Sequence, residues 1–237
     1  MKYIMNVENE AETIKQPYDV LYYIKPLGSI KIITTPRYTA IDLGLPSGRL
    51  WANMNVGAEK ETDYGLYFQW GDTVGYADAS HSTTDTYLGG GVWGDSASLA
   101  AWDAENLQSV TGMEISAKIL KPAVDAATVN MGSKWRMPTM EDCVELIENT
   151  NLEITVIDGV KGGKFISKAD TSKYIFLPFA GYAAEGSFTE QGAVGLFWSS
   201  SVSPDSPERL YIVGCQEDGY TDGALPRYFA VSVRGVC

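Results

Sequence analysis

Histidine and cysteine are nearly missing from this 237-residue chain, which has one His (His81) and three Cys (Cys143, Cys215 and Cys237). A single imidazole supplies neither a metal cluster nor a catalytic pair. Three thiols with no CxxC or Cys/His spacing suggest neither zinc nor a conventional disulfide framework. Long apolar runs are missing too. None could cross a bilayer, and MKYIMNVENEAETIKQPYDV at the start has no apolar core of signal-peptide length. The expectation is a chain made in the cytoplasm that stays soluble, without membrane insertion. Basic residues are few, 18 Lys and Arg against 30 Asp and Glu, for a formal net charge of −12. Such a chain repels polyanions at long range, so nucleic acid is not an expected partner. Nucleophile elbows, phosphate loops and His pairs are all lacking, which argues against an enzyme and against a cofactor.

What is present is aromatic and turn-rich. Six Trp, 14 Tyr and 7 Phe, with 20% charged residues, describe a globular chain long enough for one full core plus an extension. Residues 1–38 stand apart. Val20–Ile24 and Ile30–Thr35 predict two strands around the Pro26-Leu-Gly28 turn, closed by Pro36. They form either an edge hairpin on the main domain or an arm for attachment to a larger assembly or for homo-oligomerisation.

Residues 39–237 form the main domain. Leu43–Gly48 is a Gly/Pro loop, Leu50–Met54 and Tyr64–Gly71 are short strands, and residues 72–100 are a long loop. Pro138–Ile147 predicts a helix capped by Thr139, with Glu141 and Asp142 at its positive end and Met140, Cys143, Val144 and Ile147 on one face. Cys143 then points at the core as a small hydrophobe. A second short helix is predicted over Pro122–Val129. Strands follow at Tyr174–Pro178, Gly195–Trp198, Leu210–Val213 and Tyr228–Val233. Two helices followed by antiparallel strands predict an α+β domain.

One segment follows no such rule. Val202–Tyr228 (VSPDSPERLYIVGCQEDGYTDGALPRY) alternates poorly and has no helical stripe, yet it lies between the ordered-looking Phe197–Ser201 and Phe229–Arg234. Asp42–Gly48, Leu50-Trp-Ala52, Asn55–Ala58, Tyr64–Gly71, Asp125-Ala-Ala127, Trp135–Thr139, Phe176–Tyr182, Trp198–Ser201 and Ser232-Val-Arg234, in this order, resemble a paralogous family of gut bacteria and their phages. That family is similar to the C-type-lectin-like fold of formylglycine-generating enzymes and of the variable proteins of diversity-generating retroelements. The resemblance covers residues 40–237 and implies a C-type-lectin-like domain with a variable, ligand-binding segment at 198–237.

In those variable proteins, adenine-directed mutagenesis scatters AAY codons into codons ending in a pyrimidine, which never encode Glu, Gln, Lys, Met or Trp. Between Val202 and Tyr228 only Glu208, Gln216 and Glu217 fall outside that set. The chain has no Asn after Asn151 and no Lys after Lys173. The triplets that ligate calcium in animal lectins are absent, as are the paired catalytic cysteines of the formylglycine-generating branch, so no metal and no catalytic residue is assigned.

The function implied is a non-enzymatic ligand- or receptor-binding protein with a diversified C-terminal surface. Its setting would be a phage tail in the virion; the alternative is an undiversified adhesin or glycan-binding module on the bacterial cell surface. The expected partner is a protein or glycan receptor on a target cell. The expected contact residues are Ser203, Asp205, Glu208, Arg209, Tyr211, Val213 and Cys215, and on the returning arm Asp218, Tyr220, Asp222, Leu225, Arg227 and Tyr228. Tyr and Arg among them are the residues that anchor interfaces. Alternation puts Tyr211 and Val213 at risk of turning inward. Trp198 and Arg234 are expected in the scaffold, Arg234 paired with a carboxylate or backbone carbonyl.

A chain with one thiol in a helix, one in the variable segment and one at Cys237 has no stable disulfide to rely on. Its unfolding midpoints with and without reductant should coincide; a fall of many degrees on reduction would show a structural disulfide.

Overall fold

The computed structural model describes residues 2–5, 11–14, 19–23, 30–34, 38–77, 119–184, 186–202, 209–226 and 229–237. Two compact units divide the chain, Met1–Arg37 and Tyr38–Cys237. In the first, β1 (Lys2–Met5) pairs with β2 (Ala11–Ile14), and β3 (Asp19–Tyr23) with β4 (Ile30–Thr34), each antiparallel.

The second unit is built on strands. β5 (Ala40–Asp42) pairs with β6 (Leu50–Ala52). A three-stranded meander joins β8 (Thr150–Ile157), β9 (Val160–Ser167) and β10 (Tyr174–Pro178). The largest sheet holds β7 (Tyr67–Gln69), β11 (Tyr182–Ala184), β12 (Ser187–Thr189), β13 (Val194–Val202), β14 (Arg209–Gln216), β15 (Gly219–Pro226) and β16 (Ala230–Ser232). Its order is β12-β11-β16-β13-β14-β15, with β7 also on β16 and one parallel contact, Phe197 opposite Ser232. One of the sheets curls into a half-barrel.

The α+β, C-type-lectin-like class expected from the sequence is therefore corrected: the chain is mostly β. Two α-helices occur among the described residues, α1 (Ala126–Met131) and α2 (Met140–Asn149). Both are short for physical reasons. The predicted helix over Pro122–Val129 breaks into a 3-10 turn at Pro122–Val124 and α1, because Asp125 is extended (φ −92°, ψ 113°). Its carboxylate accepts from Thr128 N (2.8 Å) and reaches across to Met137 N (2.8 Å). Burial pushes that carboxyl up in spite of these bonds. α2 stops where β-branched Thr150 takes up extended backbone and begins β8.

At its other end α2 is capped by Thr139, as expected, and Asp142 completes a capping box. Asp142 N donates to Thr139 Oγ1 (3.3 Å) and Thr139 N to Asp142 Oδ2 (2.8 Å). Cys143 and Leu146 are its buried apolar residues; Val144, expected on the core face, is 41% exposed, one residue round the helix from Cys143.

β13 and β14 lie between two cores. Leu196, Trp198, Leu210 and Ile212 pack with Phe68, Trp70, Val231 and Val233, on the side of α1. Phe197, Val213 and Cys215 pack from the opposite face with Trp51, Cys143, Leu146, Phe165 and Ile175, on the side of α2. Cross-strand pairs obey this division: Trp198 stands opposite Ile212 and Phe197 opposite Val213. Two buried indoles tie β13 to β7 and the residue after it within this sheet, Trp198 Nε1 donating to Phe68 O (2.7 Å) and Trp70 Nε1 to Ser199 O (2.8 Å). Trp198 is scaffold, as expected.

Asp142 links α2 to two other segments through Arg136 Nη1 (2.7 Å) and Arg49 Nε (3.1 Å). Burial alone would raise its carboxyl. The hydrogen bonds from Arg136 and Thr139, with the two guanidinium charges, outweigh this and hold it below the usual range. The stabilisation is therefore complete above the ordinary carboxylate value of about 3.9 and is lost as pH falls through the lower folded value. Asp142→Asn should cost about 1.5–3 kcal/mol at pH 7. Thermal melts of the two proteins should converge below about pH 4; a constant gap at every pH would show that charge is not the cause.

Candidate functional site

The C-terminal hairpin explains its own disorderly sequence. A strand covered on both faces has no reason to alternate, and Leu210, Ile212, Val213 and Cys215 are all buried. Gly214 is fixed by close approach: a Cβ there would fall 1.8 Å from Gly195 O. The Cys215 thiol fills the space over Gly163, where an added Cβ would meet Sγ at 2.5 Å. Val213 and Cys215, expected as contact residues, are therefore corrected to core. Burial drives the Cys215 thiol up to about 12, and raises Cys143 well above its ordinary value. Both stay protonated and unreactive at neutral pH.

β15 is different. It pairs with β14 from Arg209 opposite Pro226 to Gln216 opposite Gly219. Asp218 in the turn and Asp222 on the strand are exposed, while Tyr211, Tyr220 and Leu225 are half-buried. Leu225 packs against the α1-side core and Tyr220 against the α2-side core. Arg209 is the first residue of β14. Ser203, Asp205, Glu208, Arg227 and Tyr228 lie outside the described residues.

An open cleft of about 440 Å³ brings some of these together with segments far away in sequence. One wall is the hairpin end, Glu217-Asp218-Gly219-Tyr220. The other is Ile147 at the end of α2, Thr150–Leu152 and Ile154 on β8, and Lys168. The walls join at Tyr220, whose hydroxyl donates to Thr150 O (3.0 Å) and lies 3.3 Å from Thr150 Oγ1. Its ring rests against Phe165 at 5.5 Å. Burial raises this phenol, so it remains a donor throughout the physiological range. Glu217 is paired with Lys161, and Lys168 Nζ donates to Glu148 O (2.6 Å).

Asp218 and Tyr220 were accessible to sequence reasoning, whereas Ile147, Thr150–Leu152, Ile154 and Lys168 were missed. A signal existed: Asp158-Gly159 between β-branched runs marks a two-residue hairpin turn, and both residues have positive φ (49° and 80°). The cleft offers hydrogen-bonding groups, carboxylates and apolar side chains. Among the described residues no group of three or more His, Cys, Asp or Glu is placed to hold a metal ion. Comparison with protein-family models, curated proteins and solved structures gives no match.

Tyr220→Phe should remove the link between the walls at about 1 kcal/mol, a fall of about 2–4 °C in a domain of this size. Asp218→Ala should stay within about 0.5 kcal/mol of the parent. Equal midpoints for Tyr220→Phe and the parent would show that the junction carries no stability.

Proposed function

We propose that this is a non-enzymatic binding protein that meets a protein or glycan receptor on a target cell surface with the β15 side of its C-terminal hairpin and the adjoining cleft. The observation that carries the reading is the asymmetry of that hairpin. β14 is locked between two cores, while β15, carried on it, presents exposed Asp222 and the Asp218 turn. A rigid strand bearing a substitutable one suits recognition, because exposed side chains can change without disturbing the packing beneath. Diversification along Val202–Tyr228 fits this division if it spares Leu210–Cys215. The described ionisable groups most displaced by burial, Cys143, Cys215 and Arg234, are buried in the core and do not line the cleft, which supports binding over catalysis. The separate unit Met1–Arg37 suits attachment to a larger assembly, such as a phage tail.

Two measurements test this together. Asp205, Asp218 and Asp222 replaced jointly by Ala should shift stability by no more than about 0.5 kcal/mol each, whereas Trp198→Ala should cost about 3–5. On an array of bacterial surface glycans and proteins, the triple variant should lose or redirect the parent's binding. An unchanged array profile, or unfolding as severe as that of Trp198→Ala, would overturn the reading.

A further inference from the structure

Asp-Gly occurs three times in the chain, at Asp158-Gly159, Asp218-Gly219 and Asp222-Gly223. The dipeptide is reactive, because the unhindered amide nitrogen of glycine can attack the preceding side-chain carboxyl and close a five-membered imide. Closure needs that nitrogen free of other bonds. β14 and β15 are joined by the two-residue loop Glu217-Asp218, so Gln216 and Gly219 close the hairpin and every second pair exchanges both hydrogen bonds. Gly219 N, and Gly223 N opposite Ile212, therefore donate inside that ladder. Gly159 instead lies in the loop of the β8–β9 hairpin, between the closing residues Ile157 and Val160. Neither its N–H nor the Asp158 carboxylate has a hydrogen-bond partner among the described residues. Both residues are exposed, and a Cβ on Gly159 would meet nothing within 4 Å.

Backbone angle separates the three sites in the same order. In an L residue Cβ stands about 120° from N around the Cα–C bond, so the next nitrogen eclipses Cβ at a ψ of about −120°. At negative φ that ψ lies outside the allowed regions. At positive φ it is the setting of the first central residue of a type II′ turn. Asp158 has φ 49°, and apart from glycine only Glu190 shares a positive φ among the described residues. With Gly159 also positive the loop is type I′, which differs from II′ by rotation of the one peptide plane between the central residues. Asp158 is thus a single peptide flip from closure; Asp218 and Asp222 are not.

We propose that Asp158-Gly159 is a site of spontaneous backbone modification, at which the folded protein forms isoaspartate. Gly159 N attacks Cγ of the protonated carboxyl. The N–Cγ bond forms, a Cγ–O bond breaks, and the Gly159 proton leaves with that hydroxyl as water. A second water then opens the imide. Addition at Cγ restores aspartate. Addition at the Asp158 backbone carbonyl breaks its bond to Gly159 N, which regains a proton; the chain then runs through Cβ and Cγ and the α-carboxylate is free. One water is lost and one gained, with nothing oxidised or reduced. The product no longer holds an α-linked residue at positive φ, a conformation that costs L residues energy. The site lies outside the cleft lining and is independent of the proposed function.

The test uses the unsubstituted full chain, incubated in warm, mildly acidic buffer both folded and in urea, then digested. Electron-transfer fragmentation counts isoaspartate at each dipeptide, and each folded rate is divided by its own rate in urea. Asp158 should keep its urea rate within about threefold, while Asp218 and Asp222 slow at least about tenfold, since their glycine amides react only when the ladder opens. Asparagine variants give a second readout, because the side-chain amide leaves as ammonia. Asp158→Asn should deamidate at least about tenfold faster than Asp222→Asn in the folded protein. Slowing of Asp158 on folding as great as that of the other two overturns the proposal, as does equal deamidation of the two variants.

Discussion

A buried cation holds the second unit together. Arg234 is 0% exposed, and its guanidinium donates to three neutral oxygens: Ala52 O (2.9 Å), Asn55 Oδ1 (3.0 Å) and Phe176 O (2.8 Å). Burial lowers its pKa to about 9, so the group still carries its charge at neutral pH. A charge so placed is tolerable only while each donor has a partner. That requirement fixes β6, the loop at Asn55 and β10 around the segment after β16. Asn55 extends the constraint by donating to Tyr64 O (3.0 Å), an oxygen that also receives Ser232 Oγ (3.3 Å). Of the carboxylate or backbone carbonyl expected for this arginine, it finds two backbone carbonyls, with the Asn55 amide oxygen as a third partner.

Local chemistry was the part of this fold open to reading. Tyr174–Pro178 is a strand because a β-rich run is cut off by proline, and α2 begins where Thr139 and Asp142 cap each other. The class was misjudged because its evidence is non-local. β5, β11 and β12 are three residues each, too short for any period to show, and exist through their neighbours. Leu210–Cys215 looked shuffled because two cores, one on each face, erase alternation. The cleft was half legible for a similar reason. Asp218 and Tyr220 stand in a turn-rich segment that draws notice, but the opposite wall is an ordinary strand some seventy residues earlier, brought there by the bond recorded between positions 70 apart in sequence.

Charge is divided between two tasks. The buried carboxylates Asp125 and Asp142 cap helices and join segments. Glu153, Asp218 and Asp222 are exposed and serve no packing role among the described contacts.

The segment around Arg234 has a consequence in time as well as in space. Val233, Gly235 and Cys237 pair with Val56, Ala52 and Leu50, Val236 pairs with Arg136, and the Arg234 bond to Ala52 spans 182 residues. These contacts close loops nearly as long as the unit itself, and such closures are slow because chain entropy is lost before they form. During synthesis β6 and the Asn55 loop emerge early and wait for almost all of the remaining chain. Until residues 233–237 leave the ribosome, the oxygens meant for the guanidinium have only water to bind. The second unit therefore cannot complete its core before that segment has been translated.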